Sequence, residues 1–176
     1  HRWQLEKGSR RTRMVTARPD GSDLRVVIGS GFASHFIWRD PSHILAFSKP
    51  TPEVPWGFFV HEDKTNGTVE QVGKGVMGPG DGHCTYLPGN RWILCDTYPD
   101  RERKIEVYLY DTATNRRITL GRFFQPLEYW STPPNYEWRC DLHPRSSPDG
   151  KSVILDSPHG GQGRQLHRVD LRAIVG

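Results

Sequence analysis

HCTYLPGNRWILC, residues 83–95, sets a histidine, a Pro-Gly-Asn turn and an apolar β-favouring run within thirteen residues. Two other stretches share the pattern. They are HFIWRDPSHILAF from His35 and HPRSSPDGKSVIL from His143. Each places a proline-containing turn five or six positions after its histidine, at Pro41, Pro88 and Pro148. An apolar run follows each turn: Ile44 to Phe47, Trp92 to Cys95, and Val153 to Leu155. In the second and third copies an aspartate stands 13 residues past the histidine, at Asp96 and Asp156. Self-similarity at a fixed period of this size is the mark of a repeat architecture.

Each copy continues into a second pattern of strand, polar turn and strand, as in WGFFVHEDKTNGTVEQVG and VYLYDTATNRRITLG. RMVTARPDGSDLRVVIG has the same form and precedes the first histidine, and QLHRVDLRAIVG begins the same way at the end of the sequence. Short strands joined by Asp, Asn and Gly turns predict antiparallel hairpins. The histidines are 48 and then 60 residues apart, and four short strands in about 40–50 residues is the size of a β-propeller blade. The expectation is an all-β protein, an incomplete β-propeller of four-stranded antiparallel blades. The whole of 1–176 forms one propeller portion, with a partial blade over 1–30 and blades over 31–79, 80–138 and 139–176. About three blades of a probable seven are present, so the remaining N-terminal blades are expected to lie outside this sequence. A β-sandwich of the same strands is the alternative, and it gives no reason for a histidine in every repeat.

Composition agrees with a turn-rich β protein. Of 176 residues, 18 are Gly and 14 Pro, with 35% hydrophobic and 11% aromatic residues. No apolar run approaches the ~20 residues that cross a bilayer, so no membrane association is expected. The net charge of +4 invites a nucleic-acid reading, but GSRRTRMVTARPDG is the one basic cluster and no binding motif accompanies it. A polyanionic substrate such as an acidic sugar suits a basic surface equally well. Three cysteines, Cys84, Cys95 and Cys140, cannot all pair within the chain. They read as buried thiols of a reducing compartment, the cytoplasm, with the periplasm as the alternative.

The histidines carry the chemistry. The first strand of a propeller blade lines the central channel, so His35, His83 and His143 are expected to converge there. Folding a strand does not call for histidine ahead of it. Neutral imidazoles are common metal ligands, and three of them leave an open position on the ion. The other histidines are out of this register. His43 and His61 read as turn and strand-surface residues, His159 as a loop residue, and His167 as part of a late strand.

These residues resemble a known family. SPDGKSVILDS with GGQGRQLHRVDL is similar to the blade repeat of TolB-like propellers. SHFIWRDP, DGHCTYLPGNRWILCDTYP and RCDLHPRSSPDG together resemble oligogalacturonate lyases, from about Gly31 onward. The resemblance implies a seven-bladed propeller whose cavity binds manganese or a similar divalent ion through histidines and a glutamine. It also implies β-elimination on a short galacturonide, as in pectin breakdown. By motif, His83 and His143 match metal ligands and His35 matches the candidate base. The family's last ligand motif, Gln-x-x-His-Pro-His, reads here Cys140-Asp141-Leu142-His143-Pro144-Arg145. Cys stands for Gln and Arg for the final His, so either the metal site or the substrate differs.

The implied chemistry is coherent. Taking the C5 proton of a uronate builds negative charge on the adjacent carboxylate, where a divalent cation stabilises it, and a neutral histidine can take that proton. Arg145 joins His35 in the catalytic set, and Arg139, Asp96 and Tyr98 are assigned to the acidic oligosaccharide substrate. The competing expectation is a non-catalytic TolB-like propeller that binds a protein or ligand.

Overall fold

The computed structural model describes residues 2–4, 10–130 and 138–176. The chain divides into two compact units, residues 1–81 and 82–176.

The first unit holds β1 (Arg2–Gln4) paired with β2 (Arg10–Thr12), and β3 (Met14–Thr16) paired with β4 (Arg25–Ile28). A four-stranded antiparallel meander follows: β5 (Ala33–Asp40), β6 (His43–Ser48), β7 (Gly57–Glu62) and β8 (Val69–Val72). Its first turn is tight because the Asp40 carboxylate accepts the Ser42 N–H at 2.9 Å, an Asx turn. Met14, Ile28, Ala33, Ile44 and Ala46 form one apolar cluster of this unit.

The second unit opens with another such meander, β9 (Thr85–Tyr86), β10 (Trp92–Asp96), β11 (Lys104–Asp111) and β12 (Arg116–Phe124). A three-stranded sheet follows, β13 (Arg145–Ser146), β14 (Ser152–Ser157) and β15 (Gln165–Asp170), then a single helical turn, α1 (Arg172–Val175). The β9–β10 turn carries Gly89 and Asn90 in the left-handed region, at φ 83° and 59°, which these residue types tolerate best. Leu94 of β10, Ile105, Val107 and Leu109 of β11, and Val153 and Leu155 of β14 alternate into one core with Leu142 and Leu171. A fully buried side chain of this size contributes about 1.5–3 kcal/mol, so this cluster fixes the two sheets of the second unit against each other. Four-stranded antiparallel meanders are the form the repeat predicts. Among the described residues no helix is long and apolar enough to cross a membrane.

The register explains the repeat. Ile37, Thr85 and Arg145 each stand two residues past their histidine and pair with Leu45, Leu94 and Ile154 in the middle of the next strand. His35 differs in one respect. It lies inside β5, whereas His83 and His143 precede β9 and β13.

Candidate metal centre

β9 pairs with β10 as Tyr86 with Ile93 and Thr85 with Leu94. Continued backward, that register sets His83 opposite Asp96. The Asp96 carboxylate accepts the His83 backbone N–H at 2.6 Å, and both its oxygens lie 3.0 Å from His83 Nδ1. Asp96 is 2% exposed and His83 5%. A buried carboxylate facing Nδ1 holds the proton on that nitrogen and leaves the imidazole lone pair at Nε2. This is the arrangement that orients metal-binding histidines. Gly82 makes the approach possible: a Cβ there would stand 2.0 Å from the Asp96 carbonyl oxygen.

The second imidazole comes from the loop ahead of β13. The His143 N–H reaches the other Asp96 oxygen at 3.2 Å, so one carboxylate positions both histidines. The two rings lie 3.7 Å apart, centre to centre, tilted by 38°. Burial and the neighbouring His83 hold His143 below the usual histidine pKa, which favours the neutral, ligating form. His143 adopts φ 41°, a left-handed conformation that costs a non-glycine residue about 1–2 kcal/mol.

Asp141 completes the group. Its Oδ2 accepts Arg139 Nε at 2.8 Å, while Oδ1 is buried and makes no hydrogen bond. The ligand atoms of His83, Asp141 and His143 all lie within 4.8 Å of one another. Two imidazoles and one carboxylate are the donor set of divalent-metal sites that keep coordination positions open. A buried carboxylate oxygen without a partner is costly unless something binds it, so the residues present fit a cation.

An aromatic and cationic wall stands beside this group. Tyr98 meets His83 edge-on at 5.8 Å and Trp130 at 6.0 Å. The Arg139 guanidinium lies 4.8 Å from the Trp130 ring centre and 5.6 Å from that of Tyr98. Arg145 is exposed on β13, and its Nη1 donates to the Pro144 carbonyl at 3.0 Å. Cys140 is fully buried. Burial, then the nearby Asp156, push its thiol pKa up to about 12, so Cys140 offers no thiolate. Asp156, the counterpart of Asp96 by offset, instead takes Arg164 Nε at 3.0 Å.

The second unit thus brings together His83, His143, Asp96, Tyr98 and Arg139. In the first unit His35 Nδ1 lies 3.0 Å from Asp81 Oδ2, which also accepts the Ser34 hydroxyl at 2.5 Å. One expectation needs correction. His61, read as a strand-surface residue, is 2% exposed, with Nε2 3.0 Å from Ser48 Oγ and Nδ1 buried without a hydrogen bond. Burial lowers its pKa to about 4. β7 is buried along nearly its whole length, so alternation gives it no outward face at that position. Asp141 and Trp130 were not singled out as site residues. Nothing in the sequence around either residue marks it as a ligand or a wall of the site.

No protein-family model matches the sequence, and no curated protein matches it at a significant level. Solved structures do resemble it. TolB from Acinetobacter baumannii gives a TM-score of 0.67 at 20% identity, covering 91% of this chain and 35% of that one. Oligogalacturonate lyase from Vibrio parahaemolyticus gives 0.66 at 16% identity, covering 91% of this chain and 42% of that one. A putative TolB from Agrobacterium tumefaciens gives 0.52 at 15% identity, over 98% and 66% of the two chains. TolB and oligogalacturonate lyase structures, the two kinds that the sequence resembles, are thus both among those similar to this chain. The fold they share is that of β-propeller blades. The chain spans 35% and 42% of the first two.

Proposed function

We propose that this chain contributes the metal-binding part of a lyase that cleaves acidic oligosaccharides by β-elimination. The observation that carries the reading is the cluster of His83, His143 and Asp141, organised on the buried Asp96 carboxylate. His83 and His143 would hold a divalent ion, manganese by resemblance, and Asp141 would supply the third donor. Bound there, the ion would act as a Lewis acid toward a uronate carboxylate. Asp96, assigned to the substrate from the sequence, acts in this reading instead as a positioning residue, because it is buried and both its oxygens face protein donors. Arg139, tied to Asp141 and set over Tyr98 and Trp130, offers charge and flat apolar surface to an acidic sugar. Arg145 presents a second cation for the substrate. His35 takes the role of base, with Asp81 holding the proton on Nδ1 so that Nε2 can accept one.

The test is cleavage of galacturonide, glucuronide and mixed acidic oligosaccharides by a protein that carries this chain with a full set of blades. Elimination leaves a double bond in the new non-reducing sugar, which absorbs in the ultraviolet. His83→Ala and His143→Ala should lose ion and activity together. His35→Ala should keep the ion and lose about 10²–10⁴ in rate. An ion bound at full occupancy with no ultraviolet product from any substrate would overturn the lyase reading.

A second reading, a non-catalytic binding scaffold, draws on this sequence's departures from the ligand motif it resembles. Cys140 is buried and held in its protonated form, and Arg145 replaces a ligand type. Failure to bind any divalent ion would favour it.

A further inference from the structure

Two of the three cysteines face each other across a strand pair. The β9–β10 register, Tyr86 with Ile93 and Thr85 with Leu94, continues to place Cys84 directly opposite Cys95. Directly opposed residues of antiparallel strands have Cα atoms about 4.5–5.5 Å apart, inside the range that a disulfide spans. No disulfide joins the two cysteines, and their sulfurs stand 2.9 Å apart, the Cys84 S–H donating to Cys95 Sγ. A disulfide bond is about 2.05 Å long, so closing the gap moves the sulfurs by about 1 Å. The Cys95 thiol in turn donates to the Asp96 carbonyl at 3.3 Å. Cys140 makes its own contact, to the Asp156 carbonyl at 3.5 Å, and stays outside the pair.

We propose that Cys84 and Cys95 are an oxidation site that closes to a cross-strand disulfide, clamping β9 to β10 beside the His83–Asp96 pair. Hydrogen peroxide is an oxidant small enough for a residue such as Cys84, which is 7% exposed. The Cys84 sulfur attacks peroxide. An S–O bond forms as the O–O bond breaks, giving the sulfenic acid and one water. Cys95 Sγ then attacks Cys84 Sγ, and the S–S bond forms as the S–O bond breaks, releasing a second water. Two thiols are oxidised and one peroxide is reduced to two waters. The third, odd cysteine is no obstacle, because the partners are chosen by register rather than by count.

The test needs no substitution and no metal, so it stands or falls separately from the lyase reading. The folded chain is treated with peroxide, then unfolded and alkylated, and the thiols are counted by mass. Arg91 lies between the two cysteines, so trypsin separates them into peptides 75–91 and 92–101. Peroxide should remove two of the three alkylatable thiols and leave these two peptides linked. The same treatment in guanidinium should give at least about tenfold less of that linkage, because the fold holds the sulfurs together. Three thiols remaining, a link through Cys140, or Cys84 carried to the sulfinic acid with Cys95 still alkylatable would each overturn the proposal.

Discussion

Asp96→Asn isolates the residue on which the candidate centre depends. Three donors face its carboxylate: the His83 N–H at 2.6 Å, the His83 ring Nδ1 at 3.0 Å and the His143 N–H at 3.2 Å. A carboxylate has two accepting oxygens and an amide has one, so one of these buried donors must meet an NH2 group instead. Leaving a buried donor unpaired costs about 1–3 kcal/mol. At ~2–4 °C per kcal/mol for a chain of 150–250 residues, the melting temperature should fall by roughly 2–12 °C. The effect on the ion is larger in proportion. If the amide NH2 donates to Nδ1, the imidazole proton moves to Nε2 and the lone pair needed for coordination is lost. Disturbing such an orienting partner typically costs ~10–100-fold in metal affinity. Calorimetric melting and competition for Mn²⁺ against a fluorescent chelator measure the two quantities on the same samples. An Asp96→Asn protein that melts with the wild type and binds Mn²⁺ as tightly refutes the role assigned to Asp96.

Asp141→Ala removes the buried carboxylate oxygen that has no hydrogen bond. It should weaken Mn²⁺ binding by more than the ~10–100-fold expected of an orienting residue, and chelator competition reads this directly. Gly82→Ala forces a Cβ to within 2.0 Å of the Asp96 carbonyl and 2.9 Å of Cys95 Sγ. It should cost about 1–3 kcal/mol in a denaturant melt, as overpacking does, and a wild-type midpoint would show that the approach is looser than described. His61, with its pKa lowered to about 4 by burial, binds its proton more weakly folded than unfolded. Its contribution is therefore full above the unfolded value of ~6.5 and lost as pH falls toward 4. On the order of 3 kcal/mol should disappear across that window. His61→Phe should flatten the profile there, and an unchanged slope would place the titration elsewhere.

The strands and their turns were legible because hairpin turns and apolar runs are local signals. The His83–Asp96 contact was half legible. A shared offset of 13 residues marks the two positions, but only the antiparallel register turns that offset into opposition, and Asp156 at the same offset binds Arg164 instead. Cys84 and Cys95 follow the same rule, and neither composition nor cysteine count could pair them. Asp141 was hidden for a different reason. Its carboxylate and the His143 imidazole lie in one short stretch whose backbone turns left-handed at His143, and nothing in DLHP announces that turn. His61 was misread because strand alternation reports burial only where a sheet has one wet face.

The left-handed backbone at His143 (φ 41°) sets folding and chemistry against each other at a single dihedral angle. Glycine meets no steric penalty there, and Asn or Asp meets little, while the His143 side chain is not part of the apolar core. Selection of a variant library for heat resistance alone should therefore enrich Gly, Asn or Asp at position 143. Selection for retention of a divalent ion should return His, and with it a lower melting temperature in the ion-free protein. The two screens would diverge at this residue while agreeing at its core neighbours Leu142 and Val153, which serve only the fold.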